Sequence, residues 1–176
     1  MLIDLTAPIL SYGKSPDITH MDLFYMGWAS PLESLVTRCV VLDLENGSLS
    51  TKTDSLPGLD MLSAGWSVIL RTGWEQYRGT PQYAMSPSTD KWLLERLIEK
   101  KVCLVMVDSP GVFGGASGPE HNDMDKKLAE AGAFAVENLV GVSILPTGIP
   151  FTLYCFPLQM TELNNAPCRI VADVDL

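Results

Sequence analysis

The sequence predicts a mixed α/β or α+β domain in which strands outnumber helices, and three observations carry that expectation. Short apolar segments rich in β-branched and aromatic residues recur along the chain, at 2–5, 39–44, 66–72, 102–107, 151–156 and 168–172. The segment 102–107, Val-Cys-Leu-Val-Met-Val, is apolar nearly throughout, as a strand buried on both faces should be. A helical pattern lies between 66–72 and 102–107, where a crossover joining parallel strands belongs.

The first segment opens the chain, and the second, Cys-Val-Val-Leu-Asp-Leu, is the stronger strand candidate. The third, Trp-Ser-Val-Ile-Leu-Arg-Thr, ends at Gly73. A helix is expected from near Ser86-Pro87-Ser88, where a hydroxyl cap and a proline suit a helix start. Trp92, Leu93, Leu94, Leu97 and Ile98 form its apolar stripe, and Lys100-Lys101 suits the negative end of its dipole. The buried segment then runs into Asp108-Ser109-Pro110-Gly111, a loop at a strand's carboxyl end. A second helix is expected after Gly118-Pro119, carrying Asp123, Lys126, Leu128 and Ala131 and stopping at Gly132. The following run, 133–139, is apolar except for Glu137 and Asn138.

The 176 residues are expected to form one domain, 1–176, with no repeat and no linker. Apolar residues at 47% and charged residues at 19% fit a globular chain able to bury a core without disulfides. The net charge of −9 argues against nucleic-acid and anionic-membrane partners, which require a basic surface. The apolar runs are too short to span a bilayer, and the N-terminus lacks the basic region of a signal peptide. Cys39, Cys103, Cys155 and Cys168 are widely spaced, as expected of mostly buried, reduced thiols in a cytoplasmic protein.

Taken in order, six segments resemble the metal-dependent cyclase family that includes kynurenine formamidases and isatin hydrolases. They are Ile3-Asp4-Leu5-Thr6, Val40-Val41-Leu42-Asp43-Leu44, and Val68-Ile69-Leu70-Arg71-Thr72-Gly73-Trp74. The others are Val107-Asp108-Ser109-Pro110, the run from Ala131 to Leu139, and Phe156-Pro157-Leu158 with the segment 166–172. The resemblance implies a swivelling β/β/α fold, a barrel-like mixed sheet with outer helices, assembled as homodimers or homotetramers. It also implies hydrolysis of a C–N bond in a small amide, formamide or cyclic amide, by arylformamidase-like chemistry with a divalent metal, zinc or manganese.

The family's motif is His-x-Gly-Thr-His-x-Asp-x-Pro-x-His, completed by a later histidine and a glutamate. Its nearest counterpart here is Thr19-His20-Met21-Asp22, so the resemblance implies His20 and Asp22 as ligands. Pro16 stands where the first histidine falls, Ile18 replaces the glycine, Phe24 the proline, and Met26 the catalytic histidine. Glu137 matches the late glutamate, and the late histidine aligns with Asp125, with His121 one helical turn earlier as an alternative. His20, Asp22, Glu137 and either His121 or Asp125 are enough for one metal ion and too few for a pair. With the base missing, Asp22, Glu137 or the metal hydroxide itself is left to handle the proton. Such a set makes chemical sense, since imidazole and carboxylate ligands suit zinc or manganese and an open position activates water.

Ordinary readings stand beside these. His121 and Asp125 also fit a solvated helix face, and Glu137 also fits a salt bridge with Arg71 or Arg169. Asp108-Ser109-Pro110-Gly111 has no second histidine with which to build a serine triad. Gly114-Gly115 lacks the lysine of a phosphate-binding loop and reads as a flexible loop near the site mouth. Trp28, Trp66, Trp74 and Trp92 read mostly as core, with Trp28 and Trp74 available as walls for a planar substrate. A second function class is a member that kept the fold, lost catalysis, and serves as a small-molecule-binding or assembly subunit.

Overall fold

The computed structural model describes residues 1–8, 18–23, 32–44, 56–114, 119–159 and 164–175, with backbone alone for 119–122. In chain order the elements are β1 (Leu2–Asp4), β2 (His20–Asp22), β3 (Val36–Asp43), β4 (Ser67–Arg71) and α1 (Lys91–Glu99). Then follow β5 (Leu104–Val107), α2 (Pro119–Glu130), β6 (Phe134–Glu137), β7 (Phe151–Pro157) and β8 (Asn165–Asp173).

The strands form one sheet in the order β1-β8-β2-β6-β5-β4-β3-β7, and β7 also pairs with β8. That extra pairing closes strands β2 to β8 into a mixed barrel, the barrel-like α+β architecture the resemblance implied. The β1 and β2 strands lie in tandem along one edge of β8, opposite Leu2–Asp4's partners at 171–173 and His20–Asp22's at 165–167. The β3, β4, β5 and β6 strands are mutually parallel, so their carboxyl ends gather at one mouth of the barrel.

Closure explains why the strand segments read as unbroken apolar runs. In β3, Val41 points into the barrel beside Ile69 and Met106, while Val40 and Leu42 point outward. The outward residues meet Leu93, Leu94 and Leu97 of α1 and Met124 and Leu128 of α2. Both faces are therefore dry, and each fully buried leucine contributes roughly 1.5–3 kcal/mol through its area.

The crossover expectation holds, since α1 joins the parallel strands β4 and β5. Its start falls later than expected, at Lys91, because Asp90 rather than a serine is the cap and accepts from the Trp92 amide at 2.8 Å. Residues 81–85 form a separate 3-10 turn, and Pro87 biases Ser86 away from helical geometry. The α2 helix follows Gly118 and ends before Gly132, whose φ of 80° makes the reversal. The β2 strand was not foreseen. Its three residues, His-Met-Asp, carry no periodic signal and are strand only because β6 and β8 hydrogen-bond to both edges. Among the described residues, no helix is long and apolar enough to cross a membrane.

Candidate functional site

The register of β2 against β6 builds the site. His20 lies directly opposite Glu137, and Met21 opposite Val136. Met21 and Val136 are both buried inside the barrel, so pleating turns His20 and Glu137 outward together. Asp22, two residues along β2, shares their face. His20 Nε2 stands 3.4 Å from Glu137 Oε2, with the side chains only 11% and 13% exposed. Glu137 Oε1 accepts from the Val112 amide at 3.3 Å, which ties the loop after β5 to the carboxylate.

The other ring nitrogen of His20, Nδ1, faces the Ile18 carbonyl at 2.9 Å. A carbonyl can only accept, so Nδ1 carries a proton. A neutral ring then turns the Nε2 lone pair toward Glu137, and two acceptors at that distance require a proton or a cation between them. Burial works to lower the His20 pKa, but the Glu137 hydrogen bond, the Ile18 carbonyl and the charges of Glu137 and Asp22 outweigh it and raise it.

The same geometry tests the fit of a metal. Two ligands bound at about 2.1 Å around a tetrahedral ion lie about 3.4 Å apart, which is the separation of His20 Nε2 and Glu137 Oε2. The Nδ1–H bond to a backbone carbonyl is the arrangement that orients metal-binding histidines. Two positions therefore fit. Among the described residues, however, no three His, Cys, Asp or Glu side chains gather closely enough to hold an ion. Asp22 is near enough for its charge to act on His20. Asp125 sits half-buried on α2 beside Met124, and His121 occupies the preceding turn, with its side chain outside the described residues. Pro16, Phe24, Met26, Trp28 and Gly115 also lie outside them.

Both proposed salt-bridge partners of Glu137 are engaged elsewhere. Arg71 pairs with Asp43 and donates to the Leu145 carbonyl at 2.9 Å and to the Thr147 hydroxyl. Arg169 reaches Asp4 at 2.6 Å on the surface, with both side chains about half exposed. Trp66, Trp74 and Trp92 are half-buried rather than core. Trp74 lines a cleft of about 590 Å³ at the carboxyl ends of β3 and β4, together with Asp43, Arg71, Gln76 and Tyr77. His20 and Glu137 do not line it. Gly114 is held against the backbone of Ser86 and Pro87, where a Cβ would meet the Ser86 carbonyl at 2.5 Å. Gly114 is therefore a packing glycine. All four cysteines are free thiols, three of them buried and Cys103 half-buried.

Asn138 and Tyr83 are the residues that sequence reasoning passed over. Asn138 has φ 64°, is fully buried, and ties four segments together with its backbone and amide. An asparagine directly after a strand-end acid was the available signal, because asparagine is enriched in left-handed backbone. Tyr83 had none.

The model of the family described as Cyclase matches residues 10–112. Among solved structures, isatin hydrolase A from Labrenzia aggregata, bound to benzyl benzoate, is similar with a TM-score of 0.74 at 19% identity. The match covers 98% of this chain and 93% of that one. Isatin hydrolase A from Ralstonia solanacearum gives 0.71 at 18% identity, over 98% and 91% of the two chains. A potential metal-dependent hydrolase with cyclase activity gives 0.68 at 21% identity, over 98% and 96%. At such identities these likenesses establish the fold. No curated protein matches the chain.

Proposed function

This chain belongs to the cyclase family, and on that premise we propose that it is a metal-dependent hydrolase of a C–N bond in a small amide, formamide or cyclic amide. The observation that carries the reading is the cross-strand pairing of His20 with Glu137, two outward donors at metal-ligand separation. His20 and Glu137 would hold the ion, with Asp22 beside them and His121 or Asp125 on α2 as the further donor. When bound, a zinc or manganese ion supplies Lewis acidity and brings the pKa of coordinated water toward neutrality.

The chain's own groups do the rest. Ile18 fixes the proton of His20 on Nδ1 and so keeps Nε2 free as a donor atom. The Val112 amide holds Oε1 of Glu137 and leaves Oε2 to face His20. With a methionine where the family has its catalytic histidine, Glu137 or Asp22 receives the proton released by the attacking water and returns it to the leaving nitrogen.

A second reading is favoured by one observation, the absence of a third converging donor among the described residues. On that reading the His20–Glu137 contact is an ion pair, and the chain is a binding or assembly subunit on an inherited fold. Plasma emission spectrometry of protein purified without nickel or chelator separates the two. About one zinc or manganese per chain, lost in His20→Ala and in Glu137→Ala, supports the hydrolase, and screening of aryl formamides and cyclic amides follows. No metal after incubation with both ions sinks it.

A further inference from the structure

We infer that Tyr83 and Asn138 are positioning residues that hold the His20 ring and the Glu137 strand end in facing register; the inference rests on the metal reading of that pair. Arg78 Nη1 lies 3.3 Å from the Tyr83 hydroxyl oxygen, and the same hydroxyl lies 2.9 Å from Asn138 Oδ1. A guanidinium can only donate, so the tyrosine oxygen accepts from Arg78 and donates its own proton to Oδ1. With Oδ1 taken by the tyrosine, Nδ2 faces His20 Nδ1 at 3.5 Å. Nδ1 already gives its proton to Ile18, so Nδ2 acts as a wall beside the ring rather than as a second hydrogen-bond partner. Tyr83 and Asn138 are 4% and 0% exposed, so solvent cannot replace either.

The backbone of Asn138 does the complementary work. Its carbonyl accepts from Thr19 Oγ1 at 2.7 Å, and its amide donates to the Ser109 carbonyl at 2.9 Å. Thr19 precedes His20 and Asn138 follows Glu137, so this bond clamps the ladder one step beyond the functional pair. A slip of one residue would turn His20 and Glu137 to opposite faces. Left-handed backbone at Asn138 directs its carbonyl to Thr19, and asparagine adopts that geometry at small cost.

The test uses Tyr83→Phe, Asn138→Gly and the double variant of the full chain. Glycine retains the left-handed backbone and deletes only the amide, so the fold survives. Zinc affinity by calorimetric titration should fall about 10-fold in each single variant and little further in the double, as for residues acting in one relay. Ring nitrogen NMR of metal-free protein gives the second readout. The parent should show a single His20 ring environment with its Nδ1 proton held by the Ile18 carbonyl, and the variants a mixture of ring environments. His121, the other histidine, is assigned by its own substitution. Unchanged affinity and ring spectrum, with only a lower melting temperature, would overturn the inference. If the parent binds no zinc, the metal reading fails and the ring spectrum alone decides: a mixture supports positioning, an unchanged spectrum overturns it.

Discussion

Two acids close parallel strands of this barrel and meet different fates. Asp43 is the last residue of β3 and pairs across the ladder with Arg71 of β4; Glu137 is the last residue of β6 and pairs across the ladder with His20 of β2. Both carboxylates are largely buried, 24% and 13% exposed. Their cations differ in kind. A guanidinium never gives up its proton, so Arg71 welds β3 to β4 and, through Leu145 and Thr147, to the segment that follows β6. An imidazole can release its proton and offer the lone pair to something else. The same geometry thus makes a structural joint at one place and an exchangeable site at the other.

Breaking the joint should have the largest effect on stability. Arg71→Met leaves the Asp43 carboxylate part-buried, with its Oδ1 already lacking a partner among the described residues, and should cost about 3 kcal/mol in urea unfolding. His20→Arg sharpens the comparison by converting the site into a joint. Stability should stay within about 1 kcal/mol of the parent, because the charge pair survives. Zinc binding should be abolished, since arginine has no lone pair to offer. Retention of zinc in that variant would remove His20 from the site.

The joint was half legible in the sequence and the site less so. Arg71 and Asp43 each lie in a visible apolar strand, and parallel strands joined by α1 bring their ends together. Glu137 stood out as an acid in an apolar run, but its partner lies 117 residues earlier in a strand with no pattern of its own. Two arginines were the obvious electrostatic partners, and each pairs with a different acid. Hydrophobic periodicity reports which face of an element is buried; it carries no information about which short polar strand fills the gap between β6 and β8. Asp22 and Glu137 share a face, while Asp125 lies on α2, whose buried residues Met124 and Leu128 pack against β6.

A third acid sharpens the contrast because it has no cation beside it among the described residues. Asp108, just beyond β5, is fully buried, and Oδ1 accepts from the Thr72 amide at 2.8 Å and its hydroxyl at 2.6 Å, while Oδ2 has no partner among the described residues. Burial raises its pKa, partly offset by Thr72 and reinforced by the charge of Glu75. An acid with a raised folded pKa stabilises the fold below the unfolded value near 4, and that contribution is lost as pH rises through the folded value. Stability should therefore decline over the range above about pH 4, and Asp108→Asn should flatten that decline while leaving the bonds from Thr72 in place. Chemical denaturation of both proteins at several pH values reads the difference; parallel curves would mean the carboxyl is already ionised without cost.

The smallest effect belongs to the exposed counterpart. Arg169 and Asp4 join β8 to β1 at 2.6 Å, a shorter contact than the His20–Glu137 pair, yet the side chains are 64% and 47% exposed. Water screens the attraction and solvates whichever partner remains, so distance alone predicts nothing. Arg169→Ala should change unfolding free energy by about 0.5 kcal/mol or less, and added salt should erase even that. A loss comparable to that of Arg71→Met would show that burial is not what separates the joint from the surface pair, and would point instead to the tandem seating of β1 and β2 along β8 as the feature Arg169 secures.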